Sequence, residues 1–292
     1  MEVTIKVSIV TNAFNQGKYL EAAMTSVLTQ DWPDVEYLVV DPGSTDETTE
    51  IIQGLQLKYP GRFIHIAEHD DGPADGLNKS FARATGELFG YLNADDLYLP
   101  GCICAAVQAA MRNPKAAAVY ADGYRSNAEG KIVGRVISTR FSAKKFVYGG
   151  ALVLQQSTFY RAKAFRAVGG FNCENRTSWD AEILLDMTTR GMQLVHVPGY
   201  WSVFRIHTES ITGSQRSADE SRKTHARYFQ KVIGREKRQL DRLSSKVALG
   251  YTMLTEPRGL VARMRDFMGS PNVDLPQLGS IDARQSSQAG TK

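Results

Sequence analysis

The sequence predicts an α/β fold, and two patterns carry that expectation. Over the first 120 or so residues, short β-branched runs alternate with segments whose apolar residues recur at helical spacing. Each strand-like run also ends in a cluster of Asp, Asn or Thr, as strands do when they feed a ligand site at one edge of an open sheet. The composition suits such a fold. The chain has 292 residues, 42% hydrophobic and 23% charged, which excludes a wholly disordered protein and leaves ample core for one large domain or two small ones.

Residues 6–12 (KVSIVTN) read as a buried first strand, followed by a helix over 19–30 with Leu20, Ala23, Val27 and Leu28 on one face. A second strand, 36–41 (EYLVVD), leads into Pro42-Gly43-Ser44-Thr45-Asp46-Glu47. The Ser44/Glu47 spacing predicts a capping box and a helix running to about Tyr59. Asp46 and Glu47 are expected to cap and charge that helix rather than to touch a ligand. The third strand is 62–67 (RFIHIA), and Asp75 is placed to cap a helix carrying Leu77, Phe81 and Ala84. A fourth strand, 88–92 (LFGYL), ends in Asn93-Ala94-Asp95-Asp96. A Pro-started helix over 100–113 and a fifth strand over 117–121 complete this half.

Beyond Asp122 the pattern changes to a hairpin over 124–137 and a short strand over 156–160. A helix over 162–168 closes on Gly169-Gly170, a helix over 180–190 closes on Gly191, and two late strands cover 194–197 and 200–206. From 216 to 265 the chain is helical and basic, with thirteen Lys and Arg against five acids. That surplus of eight exceeds the whole chain's net +4. The last twenty or so residues have the Ser/Gln/Gly/Pro composition of a disordered tail.

A net charge of +4 is too small to indicate a nucleic-acid partner. No apolar run reaches the ~18 residues of a membrane span, and the N-terminus has no signal-peptide pattern, so a cytoplasmic protein is expected. Cys102, Cys104 and Cys173 form neither a CxxC pair nor a zinc pattern and are expected to be reduced.

The predicted sheet edge collects Thr11, Asn12, Asp41, Glu68, Asp70, Asp71, Asn93, Asp95 and Asp96. Clustered carboxylates repel one another unless a cation joins them, and hard oxygen ligands suit Mg²⁺ or Mn²⁺. Neither GxGxxG nor GxxxxGK[ST] occurs, so a glycine loop does not hold the phosphates of a ligand here. A divalent metal, with Lys79, is left to carry their charge.

The runs TNAFNQGKYLEAAMTSVLTQ, VVDPGSTDET, DDGPADGLNKSFARATGELFGYLNADD and GGFNCENRTSWDAEILLDMTTRG, with the late RIHTESIT, together resemble the family 2 glycosyltransferases of GT-A fold. The resemblance covers about residues 5–213. It implies a Rossmann-like, mostly parallel sheet flanked by helices, with residues 214–268 as a helical extension and 269–292 as the tail. Residues 1–122 would bind the donor and 123–213 the acceptor. It also implies inverting, Mn²⁺- or Mg²⁺-assisted transfer from a UDP-, GDP- or dTDP-sugar to a glycan or lipid-linked hydroxyl.

Residue by residue, the resemblance gives Asp41 a contact to base or ribose, with Thr11 and Asn12 lining the same pocket. Asp71, Asp75, Asn78 and Lys79 fall in the donor-binding stretch. Asn93-Ala94-Asp95-Asp96 stands where the family has DxD, with Asn93 replacing the first Asp and facing a ribose hydroxyl. Asp95 or Asp96 is the metal ligand and His207 completes the site. Asp180 is the expected general base, with Glu182 the alternative in WDAE. Trp179 and Trp201 are either sugar-stacking rings or core. The basic segment is either a solvated helix packed on the catalytic domain or a peripheral anchor at the inner face of an anionic membrane. Competing readings are a sugar nucleotidyltransferase, which would need a glycine-rich, arginine-containing loop after the first strand, and a non-catalytic nucleotide-binding protein.

Overall fold

A computed structural model describes residues 4–208, 218–269, 271 and 273. In chain order the elements are β1 (Val7–Asn12), α1 (Gly17–Leu28), β2 (Val35–Val40), α2 (Thr48–Lys58), β3 (Ile64–Ile66), α3 (Pro73–Arg83), β4 (Leu88–Tyr91), β5 (Leu97–Tyr98) and α4 (Cys102–Arg112). They continue with β6 (Ala116–Ser126), β7 (Ile132–Val136), α5 (Ala143–Val147), β8 (Thr158–Arg161), α6 (Ala162–Val168), α7 (Trp179–Thr189), β9 (Gln193–Arg205), α8 (Ala218–Ile233), α9 (Asp241–Thr255) and α10 (Arg258–Met268).

One nine-stranded sheet runs in the order β3-β2-β1-β4-β8-β6-β9-β5, with β7 pairing β6. The β3-β2-β1-β4 half is parallel, and so is the β6–β9 pair. Strand β8 runs antiparallel between β4 and β6. Side-chain alternation sorts the core onto two faces. Val7, Ile9 and Val39 pack with Leu20, Met24, Ile52, Ile103 and Val107 under α1, α2 and α4. Val10, Leu38, Val40 and Phe89 pack with Leu77, Phe81, Phe165, Ile183 and Met187 under α3, α6 and α7. Phe81 stacks on Phe89 at 4.6 Å, a pair worth about 1 kcal/mol beyond its buried area. Trp179 and Trp201 lie in these cores, which is the structural one of their two readings.

Three expectations change. The two late strands are one bent strand: His196 pairs Tyr120 and Tyr200 pairs Asp122, so Val197, Pro198 and Gly199 together oppose Ala121 and bulge outward. The capping box does not form, because Ser44 Oγ donates instead to Asp41 Oδ1 and the Ala13 carbonyl. Asp46 takes the capping role, accepting from Thr48 N at the start of α2 and from Gly17 N at the start of α1. Asp75 sits inside the first turn of α3 rather than before it.

Helix α8 docks by burying Tyr228 and Phe229 against Val147 of α5 and Leu185 of α7. Helices α9 and α10 are held mainly by polar contacts: Glu256 to Lys145 (2.6 Å), Thr252 to the Gly150 carbonyl (2.9 Å), Arg258 to buried Asp122 (2.6 Å), and Asp266 to Arg135. No helix among the described residues is long and apolar enough to cross a membrane. The disordered-tail expectation falls almost entirely outside the described residues, as does the stretch from Glu209 to Ser217.

Candidate active site

The parallel register sets the ends of β1, β2 and β4 side by side, with Val10 beside Tyr91 and Asn12 beside Val40. The loops that follow therefore gather at one edge, and the loops after β1 and β2 are stitched together. Asn15 N donates to Ser44 Oγ, and Asn15 Oδ1 accepts from Thr45 N. Asn15 adopts φ +49°, a left-handed conformation that Asn tolerates better than most residues.

Asp41 belongs to this stitching. Its Oδ1 accepts from Ser44 N, Ser44 Oγ and Gly43 N, and its Oδ2 from Thr49 Oγ1. Burial pushes its pKa up, but those donors outweigh burial and hold it below the usual carboxylate value. Asp41 thus organises its own loop. Thr11 turns beneath the sheet, fully buried, and accepts from the Tyr37 hydroxyl at 3.0 Å, so it does not line the edge.

Asn12 alternates to the other face. Its Nδ2 donates to the Pro73 carbonyl, and its buried Oδ1 has no hydrogen-bond donor from the protein. Beneath it Asp70 accepts from Gly72 N and is pushed above the usual carboxylate value by burial and by the charge of Asp75. Gly76 permits this approach, since a Cβ there would lie 2.4 Å from Asp70 Oδ2. Asp75 accepts from Asp71 N and pairs with Lys79 at 2.8 Å. Lys79 also donates to the His69 carbonyl, so both residues brace the start of α3. Asn78 clamps the Phe171 backbone in both directions, at 2.8 and 2.9 Å. Asp71 is exposed, and its carbonyl accepts from Arg176, which reaches over from the loop before α7.

After β4 the two acids diverge. Asp96 is 1% exposed and turned inward: Oδ1 accepts from Arg205 N, and Oδ2 accepts from Gln156 Nε2 (2.6 Å) and Asn93 Nδ2 (3.2 Å). Burial, then repulsion from Asp95, holds its pKa well above the carboxylate range. Asp96 is therefore a buried support and is not presented as a metal ligand. Asn93 spends its amide on Asp96 and Gln155. Asp95 faces the other way, its Oδ2 2.9 Å from His207 Nε2. His207 packs against the Tyr19 ring at 4.9 Å, and the Arg205 guanidinium lies 4.7 Å from the same ring. Beside this pair opens a cleft of about 440 Å³ bordered by Lys18, Tyr19, Asn127, Glu129 and His207.

On α7 the two candidate bases also part company. Glu182 is 6% exposed and accepts from Asn172 (3.1 Å), Asn175 (2.6 Å) and Arg227 of α8 (3.1 Å). Asp180, in the first turn, is half-buried; burial raises its pKa, only partly offset by the amides of Ala181 and Asp180 itself. The charge of Asp180 helps raise the pKa of the buried Tyr91 phenol, as that of Asp96 does more weakly. Trp179, at the start of α7, shares one core cluster with Tyr91, the last residue of β4.

Five residues that sequence reasoning passed over join this edge: Tyr19, Gln155, Gln156, Arg176 and Arg205. The Gln155-Gln156 doublet before a buried strand was the one legible signal, since two long amides in that setting need partners.

A family model, "Glycosyl transferase family 2", matches residues 8–168, more than half of the chain. The chain belongs to glycosyl transferase family 2. An uncharacterized glycosyltransferase of Nostoc is 38% identical over 96 residues, 33% of this chain and 30% of that protein. An uncharacterized glycosyltransferase of Mycobacterium tuberculosis is 27% identical over 182 residues, 61% of this chain and 67% of that protein. The chain thus spans less than a third of the Nostoc relative's length and about two thirds of the mycobacterial one's. Among solved structures, a mannosyltransferase from Pyrobaculum calidifontis in complex with GDP-Man and Mn²⁺ superposes with a TM-score of 0.61 at 18% identity, covering 91% of this chain and 75% of that one. S. aureus TarS in complex with UDP-GlcNAc gives 0.59 at 17% identity, covering 85% and 72%. These likenesses establish the GT-A fold of this family 2 chain.

Proposed function

We propose that this family 2 glycosyltransferase is an inverting, metal-assisted enzyme that moves a sugar from a nucleoside-diphosphate donor to a hydroxyl of a glycan or lipid-linked acceptor. The observation that carries the reading is the division of labour between acids. Asp41, Asp96 and Glu182 are each saturated by protein donors, whereas Asp95 meets His207, which borders a cleft, and Asp180 stands at a helix start. Residues 1–122 would serve the donor, residues 123–213 the acceptor, and 214–268 a helical extension.

Asp95 and His207 would hold a divalent cation such as Mn²⁺ or Mg²⁺ through one hard oxygen and one imidazole, a largely buried, hydrogen-bonded pair whose His207 borders the cleft. Among the described residues no three His, Cys, Asp or Glu side chains gather as a cage. A cation there would complete its shell with oxygens of the donor, and when bound it would neutralise charge building on the departing diphosphate. The orphaned Oδ1 of Asn12 is an acceptor for an N–H or O–H of the donor's nucleoside. Asp180 would accept the proton of the acceptor hydroxyl as that oxygen attacks the anomeric carbon from the face opposite the leaving group. Its half-buried setting raises proton affinity, which suits a base.

The sugar nucleotidyltransferase alternative gains no support, because the loop after β1 is fastened to the β2 loop through Asn15 and Ser44 and carries no arginine. The deciding experiment is a thermal-shift screen of UDP-, GDP- and dTDP-sugars with and without Mn²⁺, followed by product analysis with glycan and polyprenyl-phosphate-linked acceptors. Metal-dependent stabilisation by one donor, with anomeric inversion in the product, is expected. Stabilisation by none, or retention of configuration, would overturn the reading.

A further inference from the structure

We infer that α9 and α10 form a docking face for an anionic lipid bilayer. Of the eighteen large apolar side chains that stand exposed among the described residues, eleven fall between Leu240 and Met268. They are not scattered. Leu240, Leu243, Val247, Tyr251 and Leu254 recur at steps of three and four residues, one stripe along α9 and the residue preceding it. The hydrogen bonds and ion pairs that fasten α9 come from another side, marked by Asp241, Thr252 and Glu256. Leu243, Val247 and Tyr251 border an open groove with Lys144, Lys145 and Tyr148, Lys145 lying 5.6 Å from the Tyr251 ring, so the groove adds its own cations to the apolar stripe. On α10, Leu260, Met264 and Phe267 lie opposite buried Ala262, and Phe267 is 94% exposed.

Charge identifies the occupant. Between residues 236 and 266 the chain has four acids, and three are engaged: Asp241 with Arg235, Glu256 with Lys145, and Asp266 with Arg135. Only Glu236 is exposed. Arg238, Arg242, Lys246, Arg263 and Arg265 all stand exposed. Sorting acids inward and bases outward leaves a surface of two features, apolar stripes and positive charge. That pairing fits anionic headgroups above an acyl layer, with the helices lying in the interface rather than spanning it. A second copy of the chain would bring the same positive charge against itself. The geometry of this face is independent of the transferase reading; the benefit of reaching a lipid-linked acceptor rests on it.

The test is co-sedimentation of the full chain with vesicles of phosphatidylcholine alone or mixed with phosphatidylglycerol, at low and high salt. Binding to the mixed vesicles alone, weakened by salt, is expected. Arg242→Gln with Lys246→Gln should lower that binding by roughly fivefold per cation removed. Leu243→Ser with Val247→Ser and Phe267→Ser should abolish it, with secondary structure and donor-induced thermal stabilisation unchanged, because all three sites are exposed. No pelleting, or pelleting indifferent to both variants, would overturn the proposal. So would a concentration-dependent dimer in sedimentation velocity that the apolar variant dissolves, which assigns the face to a second copy. Vesicle binding without donor stabilisation would leave this inference standing and remove the transferase reading instead.

Discussion

Arg227 of α8 donates to the carboxylate of Glu182 on α7 across 3.1 Å, tying the helix that carries Asp180 to one that begins after the sheet is complete. Tyr228 adds a second tie, donating to the Ser178 carbonyl at 2.9 Å while accepting from Asn175. The start of α7 is therefore fixed from outside the sheet. This separates the two acids of the WDAE motif: one is consumed in holding the helix and the other is left to act.

That separation predicts opposite phenotypes. Glu182→Ala strands the amides of Asn172 and Asn175 and should cost about 1–3 kcal/mol of stability. Arg227, nearly half exposed and solvent-screened, should contribute well under 1 kcal/mol when removed. Asp180→Asn should leave the melting temperature nearly unchanged and lower turnover by at least 10²-fold. Thermal melts beside steady-state rates distinguish the outcomes. A large turnover loss in Glu182→Ala at full folding would move the base to Glu182.

The raised pKa of Asp180 sets the acid limb of activity. A base must be ionised, and burial disfavours the ion, so the rate should fall away at a pH above the ~4 of an ordinary Asp. The profile of kcat/KM against pH measures this. Asp180→Asn should flatten that limb in whatever activity remains. A limb at or below pH 4 would show that Asp180 does not gate the reaction.

Adjacent acids should behave differently after β4. Asp95→Ala removes a proposed ligand beside the cleft and should weaken Mn²⁺-dependent binding of a nucleoside diphosphate at least tenfold, about 1.4 kcal/mol, in calorimetry. Asp96→Asn instead sets an amide against the donors Gln156 and Asn93. It should destabilise the fold by about 1–3 kcal/mol while leaving the affinity of the folded protein within a few-fold. The reverse pattern would exchange their roles.

The contrast marks what the sequence made legible. β1, β2 and β4 and the helices between them follow from residue periodicity, which is local, and the structure places them within a few residues of expectation. The two-residue β5 and the five-residue α5 are too short to show a period. The insertion of β8 between β4 and β6, and the bulge at Val197–Gly199, depend on pairing with distant strands. The site divides the same way. That carboxylates gather at the strand ends was readable from their positions after each strand. Which of them face outward was not, because beside the nearby Asn93, Asn172 and Asn175 the donors that claim Asp96 and Glu182 include Gln156, 60 residues onward, and Arg227, 45 onward, and no local pattern shows which amides will turn toward them. Asp41 was claimed by its own loop, and the Ser44/Glu47 spacing pointed instead to a capping box.

The attachment of α9 should depend on acidity. Asp241 is held well below its ordinary value by Arg235 and the Arg238 amide, and Glu256 falls below its own because Lys145 and the Arg140 amide outweigh burial. A carboxylate with a lowered folded pKa contributes stability above its unfolded value, near 4, and loses it as pH falls through the folded one. Both contacts should therefore be intact at neutral pH and weaken below about pH 4. Hydrogen-exchange protection along residues 241–255, taken against the intrinsic rate at each pH, should then fall on acidification more than protection in β1 or β4, whose amides are paired within the buried sheet. Glu256→Gln should bring part of that loss of protection to neutral pH, since the neutral amide still accepts from Arg140 N but loses the charge that faces Lys145. Protection in α9 that is unchanged between pH 3 and 7 would mean that its packing, through contacts such as Thr252 to Gly150, holds it without the two carboxylates.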